Sequence, residues 1–160
     1  MKLRDFLERW ALTGLKLKAG FLEAEFAPKD PDRAAAWDLY VELLTRVSTQ
    51  YLPPESGDEA TALGSIHALF PLTREILRKH GPGAGEFAKI AISVLNQVIR
   101  PFTSKWHRLS LRKAFENEAQ RMTFRIELEG LQSQLRQYTK ALADMAQVED
   151  LTSLEVGTPN

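Results

Sequence analysis

The sequence predicts a mainly α protein, a single-domain bundle of about five to six helices. Three observations favour this fold class: apolar residues recur at helical spacing, Pro and Gly separate the periodic segments, and 160 residues are enough to bury one core. The chain has no cysteine, which excludes disulfides, thiolate metal ligands and cysteine nucleophiles. We assign residues 1–150 to one helical domain and residues 151–160 to a flexible tail.

The N-terminal part contains one clear helix and one ambiguous segment. Residues 2–12 place apolar side chains on one helical face, and Gly14 is available to end this helix. Residues 15–26 alternate apolar and charged side chains, which is typical of a half-buried hairpin turning at Ala19-Gly20. The same residues also fit a helical period, but the two glycines favour the β-hairpin, so we predict a hairpin at about 15–26 with a helix as the alternative.

Two long helices are predicted in the middle of the chain. Asp30 and Pro31 are typical of a helix start, and the apolar spacing that follows continues on two faces to about Gln50, so this helix is expected to be central. Ser56-x-x-Glu59 has the form of a capping box that opens a helix through about residue 79. Pro71 lies inside that helix and predicts a kink or a break at residues 67–71.

Two further helices complete the predicted bundle. After a glycine-rich loop at 80–85, residues 86–100 form an apolar helix that is expected to end or bend before Pro101. The last helix carries a heptad seam, which packs either within the chain or against a second copy of it, and the amount of apolar surface elsewhere favours packing within the chain. The seam residues are Phe124, Leu128, Leu131, Leu135, Tyr138, Leu142 and Met145.

Charge is sorted along this formally neutral chain. Residues 87–115 contain six basic and no acidic residues, so the remainder carries the compensating negative charge. After Pro101 the basic residues recur at spacings of three and four, which places them on one face of a helix. Such a stretch holds a phosphate, an acidic partner surface or an acidic helix of its own chain. The candidate contacts are Arg100, Lys105, Trp106, His107, Arg108, Arg112 and Lys113.

The alternative to a binding role is that this basic segment is satisfied within the protein. Trp106 would then pack in the core, and its charged neighbours would be solvated or paired. Four acidic residues are available as internal partners: Asp38, Glu42, Glu116 and Glu118.

No catalytic, cofactor-binding or metal-ligating constellation is visible in the sequence. His67, His80 and His107 lie far apart and have no close ligand spacing, and the loop at 80–85 lacks the Lys-Ser/Thr of a phosphate-binding loop. The most apolar run, residues 90–99, is short and contains polar residues, and the N-terminus lacks a signal-peptide core. We therefore expect a cytoplasmic non-enzyme with no cofactor, no metal and no membrane partner.

Three stretches, residues 34–50, 85–111 and 141–150, resemble a group of small helical bacterial proteins of unassigned function that occur beside mobile-element or anti-phage defence loci. The resemblance covers most of the chain. It implies a bacterial, cytoplasmic setting within a multi-component system and carries no active-site residues.

Two functions compete on these observations. The first is a non-enzymatic accessory or adaptor subunit that binds a protein partner through the basic face of residues 100–113 or through the heptad helix, either in a multi-subunit complex or as a homodimer. The second is a nucleic-acid-binding accessory protein in which the basic residues contact phosphates while Trp106 or His107 stacks on a base. The neutral net charge and a pI near 6.9 favour the first.

Overall fold

The computed structural model describes residues 1–155 and confirms a mainly α helical bundle. Its buried apolar residues form one core cluster. A 3-10 turn links the fifth helix to the sixth, a π-helical turn at Leu95–Ile99 links the sixth to the seventh, and another 3-10 turn precedes the eighth. The helices in this range are α1 (Leu3–Arg9), α2 (Ala19–Glu23), α3 (Asp30–Leu44), α4 (Glu59–His67), α5 (Leu69–His80), α6 (Gly85–Val94), α7 (Arg100–Leu111), α8 (Glu118–Ala146) and α9 (Thr152–Glu155).

The predicted hairpin at 15–26 is wrong. Its proposed turn lies in the short helix α2, and the β-type pairing that the described residues contain is an isolated bridge between Lys2 and Glu25. The amide of Phe26 donates to the carbonyl of Met1 at 2.7 Å. Residues 25 and 26 thus pair with the N-terminal residues 1 and 2, and not with residues 15–18 as the hairpin required.

The heptad seam of α8 is a core element of this chain. Helix α8 packs along α3, which also contacts α5 and α6, so α3 is central as predicted. All seven seam residues are buried against the rest of the chain, which confirms packing within the chain: Phe124, Leu128, Leu131, Leu135, Tyr138, Leu142 and Met145.

Polar side chains set both ends of α3. The carboxylate of Asp32 accepts hydrogen bonds from the amides of Lys29 at 2.8 Å and Phe87 at 2.9 Å, so it closes the start of α3 and anchors the first turn of α6. The helix ends at Leu44, before the predicted end at residue 50. The hydroxyls of Ser48 and Thr49 both donate to the carbonyl of Leu43, which removes it from the helical ladder.

The break predicted at residues 67–71 is confirmed. Helix α4 ends at His67 and α5 begins at Leu69, which places Pro71 in the first turn of α5, where no backbone donor is needed. The predicted capping residue was wrong: Asp58, not Ser56, accepts a hydrogen bond from the Thr61 amide, at 2.8 Å.

The expected bend before Pro101 takes the form of the π-helical turn. Pro101 has no backbone N–H, and its ring would clash with the carbonyl of Gln97 in a regular α-helix. The wider π turn relieves this conflict and lets the helical path continue from residue 85 to residue 111.

The described part of the expected tail contacts α3. Thr152 is buried, and the Leu151 amide donates to the hydroxyl of Tyr40 at 2.6 Å. Residues 156–160, the rest of that tail, lie outside the described residues. Between residues 1 and 155, no helix is long and apolar enough to cross a membrane.

Candidate binding face on helix α7

Trp106 lies on the buried side of α7. Its side chain is 1% exposed and stacks on Phe115 with ring centroids 6.0 Å apart, while the ring of Phe124 meets it edge-on at 5.1 Å. The indole Nε1 donates to the Oε2 of Glu127 at 2.5 Å. These contacts favour the packing role for Trp106, because a ring enclosed in this way cannot stack on a base without local unfolding.

Lys105 is paired with the same carboxylate. Its Nζ donates to the Oε1 of Glu127, and the ammonium also lies 5.3 Å from the centroid of the Trp106 ring. Glu127 therefore neutralises one of the predicted basic contacts and joins α7 to α8. No pattern in the sequence pointed to this pair, because the two residues are on different helices.

Arg100 is at the other end of α7 and lies on an aromatic ring. Its guanidinium carbon is 4.7 Å from the centroid of the Phe70 ring, and its Nε and Nη2 donate to the Oδ1 of Asn96 at 3.2 and 3.1 Å. Arg74, which lies outside the basic stretch at residues 87–115, is 5.9 Å from the same ring centroid. Within residues 1–155 neither arginine forms an ion pair.

His107 contributes little positive charge to this helix. Its ring meets that of His67 edge-on with centroids 4.9 Å apart. Burial, and then the neighbouring charge of His67, hold the pKa of His107 below its ordinary value. Because that ordinary value is about 6.5, the imidazole of His107 is mainly neutral at pH 7.

The last turn of α7 and the two residues that follow it carry three cations of the basic segment that are exposed and form no ion pair within residues 1–155. Arg108, Arg112 and Lys113 are exposed, and none forms an ion pair with any other residue of the described chain. Leu111 lies among them and is 87% exposed. We call the four residues Arg108, Leu111, Arg112 and Lys113 the α7 terminal face.

The acidic residues considered as internal partners are not paired with this face. The Oδ2 of Asp38 accepts from the Nζ of Lys79 at 3.1 Å and contacts the Nε2 of His80 at 2.7 Å. Glu42 forms an ion pair with Arg46 at 3.0 Å. Glu116 and Glu118 are exposed and form no ion pair with the face in the described part of the chain. The explanation by internal neutralisation therefore applies to Lys105 but not to the α7 terminal face.

No protein-family model, curated protein or solved structure matches the chain. The seven predicted contacts do not form one site: Trp106 is in the core, Lys105 is paired, His107 packs on another histidine, and Arg100 lies on Phe70.

The α7 terminal face has the chemistry of a surface that binds carboxylates or phosphates. Each guanidinium offers a planar set of donors that matches an oxyanion in a bidentate geometry, and Leu111 adds an apolar contact. The aromatic rings next to the face are turned inward, since Phe102 and Phe115 both pack against Phe124 at centroid distances of 5.5 and 5.0 Å. His107, the other ring considered for base stacking, is half-buried and packs edge-on against His67, so the aromatic rings of this part of α7 have packing partners within the chain.

Proposed function

We propose that this chain is a non-enzymatic accessory subunit that binds an acidic surface of a protein partner through the α7 terminal face. The observation that carries the proposal is the set of three exposed cations without an ion-pair partner in residues 1–155, grouped around an 87% exposed leucine. Arginine is enriched at the energetic centres of protein interfaces, and an apolar side chain beside it supplies area that excludes water.

Two observations favour a protein partner over nucleic acid. The first is that, of the two rings considered for base stacking, Trp106 is in the core and His107 packs edge-on against His67. The second is that the protein carries no net positive charge, whereas affinity for nucleic acid rests mainly on phosphate neutralisation and counterion release. A leucine flanked by arginines suits a partner surface that combines carboxylates with an apolar contact.

The burial of the heptad seam argues against the heptad helix as the binding surface and leaves the α7 terminal face. Because the seam residues are enclosed by their own chain, a partner that used them would have to unfold the core. The α7 terminal face needs no such rearrangement. The resemblance to small bacterial proteins beside defence loci supports placing the complex in a cytoplasmic, multi-component bacterial system.

The test is a charge reversal with a matched control. Arg108→Glu combined with Arg112→Glu reverses the face, and Lys16→Glu combined with Lys18→Glu makes the same change in net charge at exposed side chains elsewhere. Each protein would be tagged and purified from the native host, and the associated proteins would be quantified. We expect at least one protein to be lost from the face variant and retained by the control, with affinity for the purified partner reduced about 30-fold or more.

The nucleic-acid alternative is tested with the same proteins. Wild type and both variants would be titrated against fluorescent single- and double-stranded oligonucleotides across a salt series. Binding that falls steeply with salt and disappears in the face variant would replace the protein partner with nucleic acid. If both variants retain every associated protein and none of the three proteins binds oligonucleotide, the face has no binding role and the proposal is overturned.

A further inference from the structure

The outer side of α3 carries exposed apolar side chains, although α3 is otherwise the central helix of the bundle. Trp37 is 44% exposed, and Val41, which is its neighbour on the same helical face, is also exposed. Tryptophan is among the residue types most enriched at the energetic centres of protein interfaces. An exposed tryptophan with an apolar neighbour on a helix face therefore marks a candidate contact surface.

The C-terminal segment extends this surface. The Trp37 ring stacks on the ring of Tyr40 with centroids 5.8 Å apart, and the Tyr40 hydroxyl donates to the Oδ1 of Asp150 at 3.2 Å. The same hydroxyl accepts from the amide of Leu151, whose side chain is exposed. Trp37 and residues 150–151 thus border the same tyrosine, which holds the C-terminal segment on the outer side of α3.

The unpaired charges at this surface are acidic. Each charged side chain of α3 next to Trp37 and Val41 has an opposite charge as its partner: Arg33 pairs with Asp30, Asp38 with Lys79, and Glu42 with Arg46. Glu149 and Asp150 are exposed, and neither forms an ion pair within residues 1–155. We call the five residues Trp37, Val41, Glu149, Asp150 and Leu151 the α3 outer face.

The α3 outer face and the α7 terminal face are complementary. One presents carboxylates beside an exposed tryptophan, and the other presents cations beside an exposed leucine. They do not pair within one molecule, because Arg108, Arg112 and Lys113 form no ion pair with any residue of the described chain. The chain has no net charge, so copies of it are not kept apart by overall repulsion.

We infer that the α3 outer face binds the α7 terminal face of a second copy of this chain, an inference that rests on the proposed function because the α7 terminal face is one half of the contact. A contact between two different faces leaves one face of each kind open on the resulting pair, so association continues to a ring or an open chain. Each face exposes few apolar side chains, so the contact is expected to bury less than the ~1,200 Å² of a stable complex. We therefore expect reversible association with a dissociation constant of about 100 µM, weakened by salt.

Sedimentation velocity of the full chain between about 10 µM and about 1 mM would measure this association. We expect the sedimentation coefficient of wild type to rise with concentration. The α7 variant, Arg108→Glu combined with Arg112→Glu, should stay monomeric because its cations are reversed. The matched control is Lys16→Glu combined with Lys18→Glu, which makes the same change in net charge elsewhere and should associate as wild type does.

The α3 variant, Trp37→Ala combined with Val41→Ser, removes the apolar part of the other face and should also stay monomeric. Its control, Met122→Ala combined with Ile126→Ser, removes exposed apolar side chains from α8 and should associate as wild type does. The urea midpoint of each variant shows that it is folded. Glu149→Lys changes one exposed, unpaired side chain and should weaken association about fivefold, so the face is tested even if the α3 variant is unstable.

Mixing the two variants tests whether different faces meet. The α7 variant keeps the α3 outer face, and the α3 variant keeps the α7 terminal face, so we expect a complex of one copy of each and no larger species. In the isotopically labelled α7 variant, the indole N–H signal of Trp37 should shift as the α3 variant is added. The indole signals of Trp10 and Trp106 should not shift, because both groups donate to carboxylates within the chain.

Specific results would overturn the inference. A wild type that stays monomeric at about 1 mM would exclude a second copy as the occupant, while loss of a host protein from the α7 variant would still support the proposed function. Association that is lost in the α7 variant but kept in both the α3 variant and Glu149→Lys would place the acidic surface elsewhere on the chain. Two monomeric variants that form no complex when mixed would contradict a contact between different faces.

Discussion

The replacement of Trp106 by alanine tests the core position of this ring most directly. A buried tryptophan removes about 200 Å² from water, and at about 25 cal/mol per Å² this corresponds to about 5 kcal/mol as an upper value. Measured truncations of buried aromatic residues to alanine cost about 3–5 kcal/mol. Because the Trp106 ring is 1% exposed and contacts both Phe115 and Phe124, we expect Trp106→Ala to lower the free energy of unfolding by about 4 kcal/mol.

Urea unfolding followed by far-ultraviolet circular dichroism would measure this change. The control is Trp106→Phe, which keeps an aromatic ring but loses the Nε1 donor to Glu127. We expect the control to cost about 1–2 kcal/mol, because Glu127 keeps Lys105 as a partner. A Trp106→Ala protein with a near-wild-type midpoint and an unchanged m-value would refute the core position and return Trp106 to the candidate contacts.

Two further predictions concern polar side chains, one buried and one half-buried. Asp32→Ala removes the acceptor for the amides of Lys29 and Phe87, so we expect it to lower the free energy of unfolding in urea by about 2–3 kcal/mol and to speed hydrogen exchange at the Phe87 amide. Asp32→Asn keeps an acceptor oxygen and should cost less. Equal losses in both variants would contradict this role of Asp32. The pKa of His107 is lower in the folded protein than its ordinary value of about 6.5, which applies to the unfolded chain. As pH falls through about 6.5, the unfolded chain therefore binds a proton at this residue more readily than the folded chain does, and the free energy of unfolding decreases. His107→Gln should flatten this dependence, and an unchanged pH profile of the urea midpoint would argue against it.

The features that the sequence predicted correctly rest on local signals. The heptad spacing of α8 identifies its buried side whatever the partner is, and Pro71 marks a break because its effect is on its own backbone. The central position of α3 follows from apolar residues on two of its faces, since such a helix has to be covered on two sides.

The wrong predictions concern segments whose residues fit two kinds of secondary structure, or whose structure depends on a contact with a residue elsewhere in the chain. Residues 15–26 fit both a strand and a helical period, and pairing of Phe26 with Met1 selects the observed path. The end of α3 depends on which hydroxyl reaches the Leu43 carbonyl. Ser56 and Asp58 are both good capping residues, so the choice between them depends on how the preceding loop packs.

The sequence located the basic segment, but it did not show which of its cations are exposed and unpaired in the folded protein. Composition is sufficient to locate a basic stretch at residues 87–115. Which cations stay free depends on tertiary contacts such as the one that brings Glu127 to Lys105 and Trp106. The pairing of His67 with His107 likewise follows from the packing of α4 on α7, which has no signature in the spacing of either helix.

The alternative to a binding role is that the cations of the α7 terminal face only stabilise the end of the helix, through the helix dipole. Cations near a helix C-terminus stabilise it by about 0.3–1 kcal/mol each, so Arg108 and Arg112 have some value even without a partner. A single exposed leucine is also ordinary. Under both explanations charge reversal lowers stability through the dipole, by about 1–4 kcal/mol for two cations removed and two anions added at 0.3–1 kcal/mol each. Only a binding face also predicts a large loss of affinity in a variant that is still folded. Measuring the urea midpoint and the partner affinity on the same doubly reversed protein therefore separates a helix terminus that happens to be basic from a surface that binds.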